Sequence, residues 1–158
     1  MPGNYTTIIA DIKSNLEAVT NIGVVHDYYR YAANPSTFIA LFSYTPTGGS
    51  KHIRGWEITR IRTPEHKRGA FFRHHVFKLT GYLGLKDANA TDKTFQALID
   101  DVCEKFRTAA DGATWYYLDG DNGDNAPCQV EIIEPRIFGE ILCHYTEIIL
   151  HITERIAP

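Results

Sequence analysis

The seven residues Asp119 to Asn125, DGDNGDN, set three carboxylates and two glycines together much as a calcium loop does. An EF-hand loop needs oxygen ligands at positions 1, 3 and 5, glycine at position 6 for the sharp turn, and a bidentate glutamate at position 12. Counted from Asp119, Asp121 fits position 3, but Gly123 takes position 5, Asp124 position 6 and Val130 position 12. Ligand and glycine are transposed and the closing carboxylate is missing. The stretch therefore reads as an acidic, glycine-rich connection, and no metal ligands are assigned.

The seven histidines are the other candidates for metal binding or acid–base work. His74 and His75 are adjacent in a strand-like run, so they point to opposite faces and cannot share an ion. His144 and His151 differ by an odd number and diverge in the same way, and no His-Glu-x-x-His occurs. The three cysteines, Cys103, Cys128 and Cys143, form no Cys-x-x-Cys pair, which favours buried free thiols over a zinc knuckle or a disulfide framework. There is no Gly-x-Ser-x-Gly elbow and no phosphate-cradling glycine run before a lysine. Asp100 and Asp101 are neighbours on a helix and diverge, as solvated residues do. The expectation is a non-enzyme without cofactor. An alternative from another class is a small metal-dependent or ligand-binding enzyme using the histidines with Asp119 and Asp121.

Charge is distributed unevenly. Lys51, Arg54, Arg60, Arg62, Lys67 and Arg68 face only Glu57 and Glu65 within the stretch 51–68. Asp111, Asp119, Asp121, Asp124, Glu131 and Glu134 lie in the stretch 111–134, which has no Lys or Arg. Single-sign runs are often just solvated surface. The sharper reading is a head-to-tail contact in which the basic hairpin of one subunit meets the acidic segment of the next, a heterologous contact of the kind that closes into rings. Arg54, Arg60, Arg62, Lys67, Arg68, Asp119, Asp121 and Asp124 are the candidate interface residues.

The elements that must position these residues follow from pattern. A chain of 158 residues, 44% hydrophobic and 22% charged, has the composition of one globular domain spanning 1–158. The net charge of -3 provides no field to hold nucleic acid or an anionic membrane. No segment reaches the ~20 apolar residues of a membrane span, and the N-terminus lacks a secretory pattern. The expected product is a soluble protein made in the cytoplasm, in which the sequons at Asn4 and Asn89 are coincidences.

Ile8, Ile9, Ile12, Leu16 and Val19 share one helical face, and Asn34-Pro-Ser-Thr37 caps a short helix carrying Phe38, Ile39, Leu41 and Phe42. Two β-like runs, about Ile53 to Arg62 and Ala70 to Leu85, are joined by Thr63 to Gly69 as a hairpin connection. In the second run Phe77, Leu79 and Leu83 oppose His74, Lys78 and Thr80, which suits a sheet with one wet face. Phe95, Leu98, Ile99, Val102 and Phe106 predict a helix over Asp92 to Arg107. Trp115 to Leu118, Cys128 to Ile133 and Ile141 to Thr153 read as strands. The expected class is α+β: an antiparallel sheet, mixed at most, with helices packed on one face.

Taken in order, Val25-His-Asp-Tyr28, the Phe38 to Phe42 helix, Gly55-Trp-Glu-Ile-Thr-Arg60, HVFKLTGYLGL from His75, FQALIDDVCEKF and QVEIIEPRIFGEILCHYTEIIL resemble the tail terminator and neck (head-to-tail joining) proteins of long-tailed bacteriophages. The resemblance spans nearly the whole chain and consists of spaced apolar and aromatic positions. It implies a virion subunit forming a homo-oligomeric ring, usually a hexamer, that caps the head-proximal end of the tail tube and presents a docking face to the neck or connector. DNA would pass through the lumen without sequence-specific binding, and no catalytic residue carries over. A neck or adaptor protein of the same virion and a cellular scaffold of prophage origin are the alternatives within this class.

Overall fold

A computed structural model of the chain describes residues 4–120 and 126–156. Apolar residues at helical spacing build α1 (Tyr5–Glu17), α2 (Pro35–Phe42) and α3 (Thr91–Arg107). Asn34 caps α2 as its sequence predicts, its side chain accepting from Thr37 N at 2.9 Å. The strands are β1 (Val24–His26), β2 (Ser43–Tyr44), β3 (His52–Arg62), β4 (Glu65–Arg68), β5 (Ala70–Gly84), β6 (Trp115–Tyr116), β7 (Cys128–Phe138) and β8 (Ile141–Ile156).

The spine is the antiparallel pairing of β5 with β8, unbroken from Phe71 opposite Ile156 to Gly84 opposite Cys143. β3 lies on the free side of β5, and β4 continues that side beyond Pro64, so the expected connection Thr63 to Gly69 is itself mostly strand. The chain reverses at Gly69, whose φ of +75 suits a residue without Cβ. β7 and β6 share the far side of β8. β1 runs parallel to β3, so the sheet is mixed. Parallel neighbours need a crossover, and α2 lies within it.

Alternation along the strands makes two cores. On one face Trp56, Ile58, Phe77, Leu79, Ile148, Leu150 and Ile152 meet α1 and α3. On the other, Phe38 and Phe42 of α2 pack with Ile53, Tyr82, Cys143 and Tyr145. The expectation that the helices pack on one face is thus corrected: α2 covers the second. Its residues form an aromatic cluster, with ring centroids 4.7 Å apart for Phe42 and Tyr82 and 5.4 Å for Phe38 and Phe138. Thr80 and Tyr82, on the face read as wet, are buried there.

β7 runs five residues past Ile133, where the strand was expected to end, and takes in Pro135. Proline removes a donor, yet an edge strand tolerates the loss on its open side. Gly139 and Glu140, both at positive φ (51 and 70), then form the two-residue turn into β8.

Packing is close at Gly81, within the β5–β8 ladder. A Cβ there would stand 2.8 Å from the Trp56 ring and 2.9 Å from Thr146 Cγ2, and the ring is wholly buried. Gly81→Ala should therefore lower the free energy of unfolding by ~1–3 kcal/mol in urea titration. An unchanged midpoint would mean that the indole shifts freely.

Candidate functional site

The basic hairpin does not form one patch. β3 residues alternate in direction, so an unbroken strand would place Arg54, Arg60 and Arg62 on one face. A bulge between Arg60 and Arg62 sets Arg62 opposite Val76 and turns it to the α2 side. Arg60 stays on the α1 side, its guanidinium 4.4 Å from the Tyr5 ring centre. Arg54 lies at the other end of the strand and is half-buried. Lys67 and Arg68 are exposed on β4, with Lys67 Nζ 5.5 Å from the Phe71 ring centre. Glu65, beside them, is taken by Arg73 at 2.9 Å.

Much of the described acidic segment is engaged within its own chain. Asp111 accepts from Tyr117 N at 3.0 Å and so shapes a turn. Asp119 is 4% exposed, and its Oδ1 lies 3.7 Å from His151 Nδ1. Glu134 pairs with Arg136, two residues on and just beyond the stretch that looked free of cations. Glu131 lines a hollow of about 570 Å3 together with Arg62, Asp119 and His151, so one arginine of the basic run faces the acidic run of the same molecule. Asp121 and Asp124 lie outside the described residues.

What remains open is the sheet's two sides. Among the described residues β4 pairs only with β5, and β7 only with β8. The outer side of each therefore keeps backbone donors and acceptors outside any ladder, as edge strands do. β4 presents His66, Lys67 and Arg68, whereas β7 presents Glu131 and Glu134 with exposed Val130, Ile133 and, at 71%, Ile137. A further exposed group lies on the loop after β1, where Tyr28, Tyr29 and Tyr31 surround Arg30. Arg30 N donates to Glu57 Oε1 at 3.0 Å, which ties this loop down over a hollow of about 390 Å3 lined by Tyr31, Phe38, Tyr82 and Phe138. Exposed Tyr and Arg are the residue types from which contact energy is most often built. A tyrosine-rich run (Tyr28, Tyr29, Tyr31) broken by one arginine was the available signal for this feature.

The histidines separate as their spacing predicted. His75, fully buried, sits on the α1 face with Nε2 2.7 Å from Glu154 Oε2, and Glu154 is itself 1% exposed. Arg60 approaches His75 Nδ1 at 3.4 Å, and arginine can only donate, so Nδ1 accepts and Nε2–H donates to the carboxylate. Glu154 Oε1 also accepts from Asn4 N at 3.0 Å and Asn4 Nδ2 at 2.9 Å. His144 Nε2 lies 2.8 Å from Thr91 Oγ1 at the start of α3. These are satisfied structural contacts. Among the described residues no group of three or more His, Cys, Asp or Glu is placed to hold a metal.

Burial, the largest effect, holds His75 below its ordinary value of 6.5 against the pull of Glu154. The unfolded chain then binds the proton more readily, so this contribution is complete above the unfolded value and is lost as pH falls below it. His144, lowered mainly by burial, acts with the same sign. Urea unfolding should show stability declining from about pH 7 to about pH 5, and His75→Gln should lower stability at neutral pH while reducing that decline. An equal decline in both proteins would assign the pH dependence to other groups.

Neither a protein-family model nor a curated protein sequence matches this chain.

Proposed function

We propose that the chain is a structural subunit that assembles head to tail into a ring, of the type that terminates the tail tube of a long-tailed phage. The observation that carries the reading is the pair of open edges on opposite sides of one sheet, β4 basic and β7 acidic and apolar. Edges of opposite sign repel copies of themselves and attract each other, which favours a heterologous contact over a two-fold one. Such a contact repeats from subunit to subunit and closes if the rotation allows, in this reading as a hexamer.

Within this reading Lys67 and Arg68 are the interface cations and Glu131 and Glu134 the acidic side, while Asp119, buried against His151, leaves the interface set expected for it and Asp121 and Asp124 lie outside the described residues. Arg54 and Arg60 support the subunit's own packing. The ring would cap the tube and offer a face to the neck or connector, with DNA crossing the lumen unread. The role is recognition without catalysis or cofactor, in the virion. The resemblance noted above supports this placement at the tail end in preference to a general scaffold.

Mass measurement in solution across a concentration series, with and without tail tubes, tests the proposal. The wild-type chain should give a closed multiple of the subunit mass, alone or on the tube. Reversing one edge (Lys67→Glu with Arg68→Glu, or Glu131→Lys with Glu134→Lys) should weaken association about tenfold or more, and a one-to-one mixture of the two variants should recover a contact between unlike chains. A monomer under every condition, or reversals that leave assembly unchanged, would overturn it.

A further inference from the structure

Glu57 of β3 is a carboxylate in an aromatic enclosure. It is 6% exposed and lines the hollow of about 390 Å3 beneath the loop that follows β1. Phe38 and Phe138 stack there at 5.4 Å, and Tyr82 stands nearly perpendicular to both, at 78° and 86°, so the rings meet as a corner. Tyr29 and Tyr31, both largely exposed, line the hollow from the loop. Two neutral donors reach the carboxylate, Arg30 N at 3.0 Å on Oε1 and the Tyr82 hydroxyl at 3.2 Å on Oε2. An ionised carboxylate accepts about four hydrogen bonds, so these two leave acceptor capacity for another donor. Among the described residues Glu57 forms no ion pair. The cations nearby are engaged elsewhere. Lys78 Nζ lies 3.3 Å from Glu147 Oε1, and the Arg30 guanidinium stacks 4.9 Å from the Tyr28 ring centre and donates to His26 Nδ1 at 3.3 Å. Because that nitrogen accepts, His26 is neutral, and its Nε2–H donates to Leu41 O at 2.7 Å. A buried carboxylate with only neutral partners is costly to keep, and burial, the largest effect, raises Glu57 above its ordinary value.

We propose that this hollow binds a small alkylammonium ion, with the ammonium N–H groups on the Glu57 carboxylate and the carbon chain against the Phe38, Tyr82 and Phe138 rings. Aromatic faces attract a cation and also cover its apolar part, and the volume lies in the range of small-molecule sites. The charge decides among ligand classes. An anion would meet the carboxylate, and a neutral apolar molecule would deepen its desolvation without supplying a counter-charge. An ammonium ion supplies both the charge and the missing donors. The loop that carries Tyr29 and Tyr31 is fastened to the same carboxylate through Arg30 N, so the ligand would share its anchor with one wall of its own site.

The probes are butylammonium and phenethylammonium, each set against the neutral alcohol of the same shape, 1-butanol and 2-phenylethanol. Each is titrated into the isotope-labelled full chain and followed by amide chemical shifts. At least one amine should bind saturably, with a Kd on the order of 1 mM or tighter, and should move the Arg30 amide that donates to Glu57. Its alcohol should bind about tenfold more weakly or worse, and Glu57→Gln, which keeps the shape and an acceptor oxygen, should lose about as much. Tyr31→Ala, at an exposed position, should weaken the amine severalfold without disturbing the fold. The proposal is overturned if neither amine saturates, if the shifts avoid the hollow, if alcohol and amine bind equally, or if folded Glu57→Gln binds like the wild type. Should Glu57→Gln fail to fold, the amine-to-alcohol ratio on the wild-type chain, with Tyr31→Ala, decides the same point.

Discussion

The fold depends on one uninterrupted ladder, the pairing of β5 with β8. Because side chains alternate along each strand, that ladder supplies both cores at once. Phe77, Leu79, Ile148 and Leu150 go to α1 and α3, while Tyr82, Cys143 and Tyr145 go to α2. A slip by one residue would send each set to the wrong helices. Gly81 makes the register more exacting, since it is the gap into which the Trp56 ring fits. The remaining strands attach to the two sides of this ladder.

The same ladder explains why charge read along the chain differs from charge in space. Arg73 on β5 takes Glu65 from β4, and Lys78 takes Glu147 across the β5–β8 pair at 3.3 Å. Arg62 is turned toward the acidic stretch of its own molecule, and Arg136 stands against Glu134. Among the described residues, several charges of the two runs are thereby engaged within the molecule. Lys67 and Arg68 remain exposed on β4, and Glu131 and Glu134 on β7.

Much of this architecture was legible in the chain. The apolar spacing of α1 and α3, the Asn34 cap and the two long alternating runs each reflect a local rule, and local rules act on neighbours in sequence. The exposed position of Lys67 and Arg68 near a hairpin turn was legible for the same reason. The bulge that separates Arg60 from Arg62 was not, because a bulge answers to the partner strand. The extension of β7 through Pro135 was not legible either, because a strand accepts proline only where one side is open. His75 with Glu154 is a meeting of distant segments, for which a single sequence carries no signal. The second core was hidden because Phe38 and Phe42 could pack on either face, and only the crossover from β1 to β3 decides which.

The contact between Asn4 and Glu154 bears on the order in which the molecule can form. The start of α1 is held by a carboxylate in β8, the element most distant from it in sequence. The face of α1 carrying Ile8, Ile12 and Leu16 belongs to the same core as Ile148, Leu150 and Ile152 of β8. That core therefore closes only when α1 and β8 meet. Closing contacts across nearly the whole length costs loop entropy before any burial repays it, and slow, all-or-none folding follows.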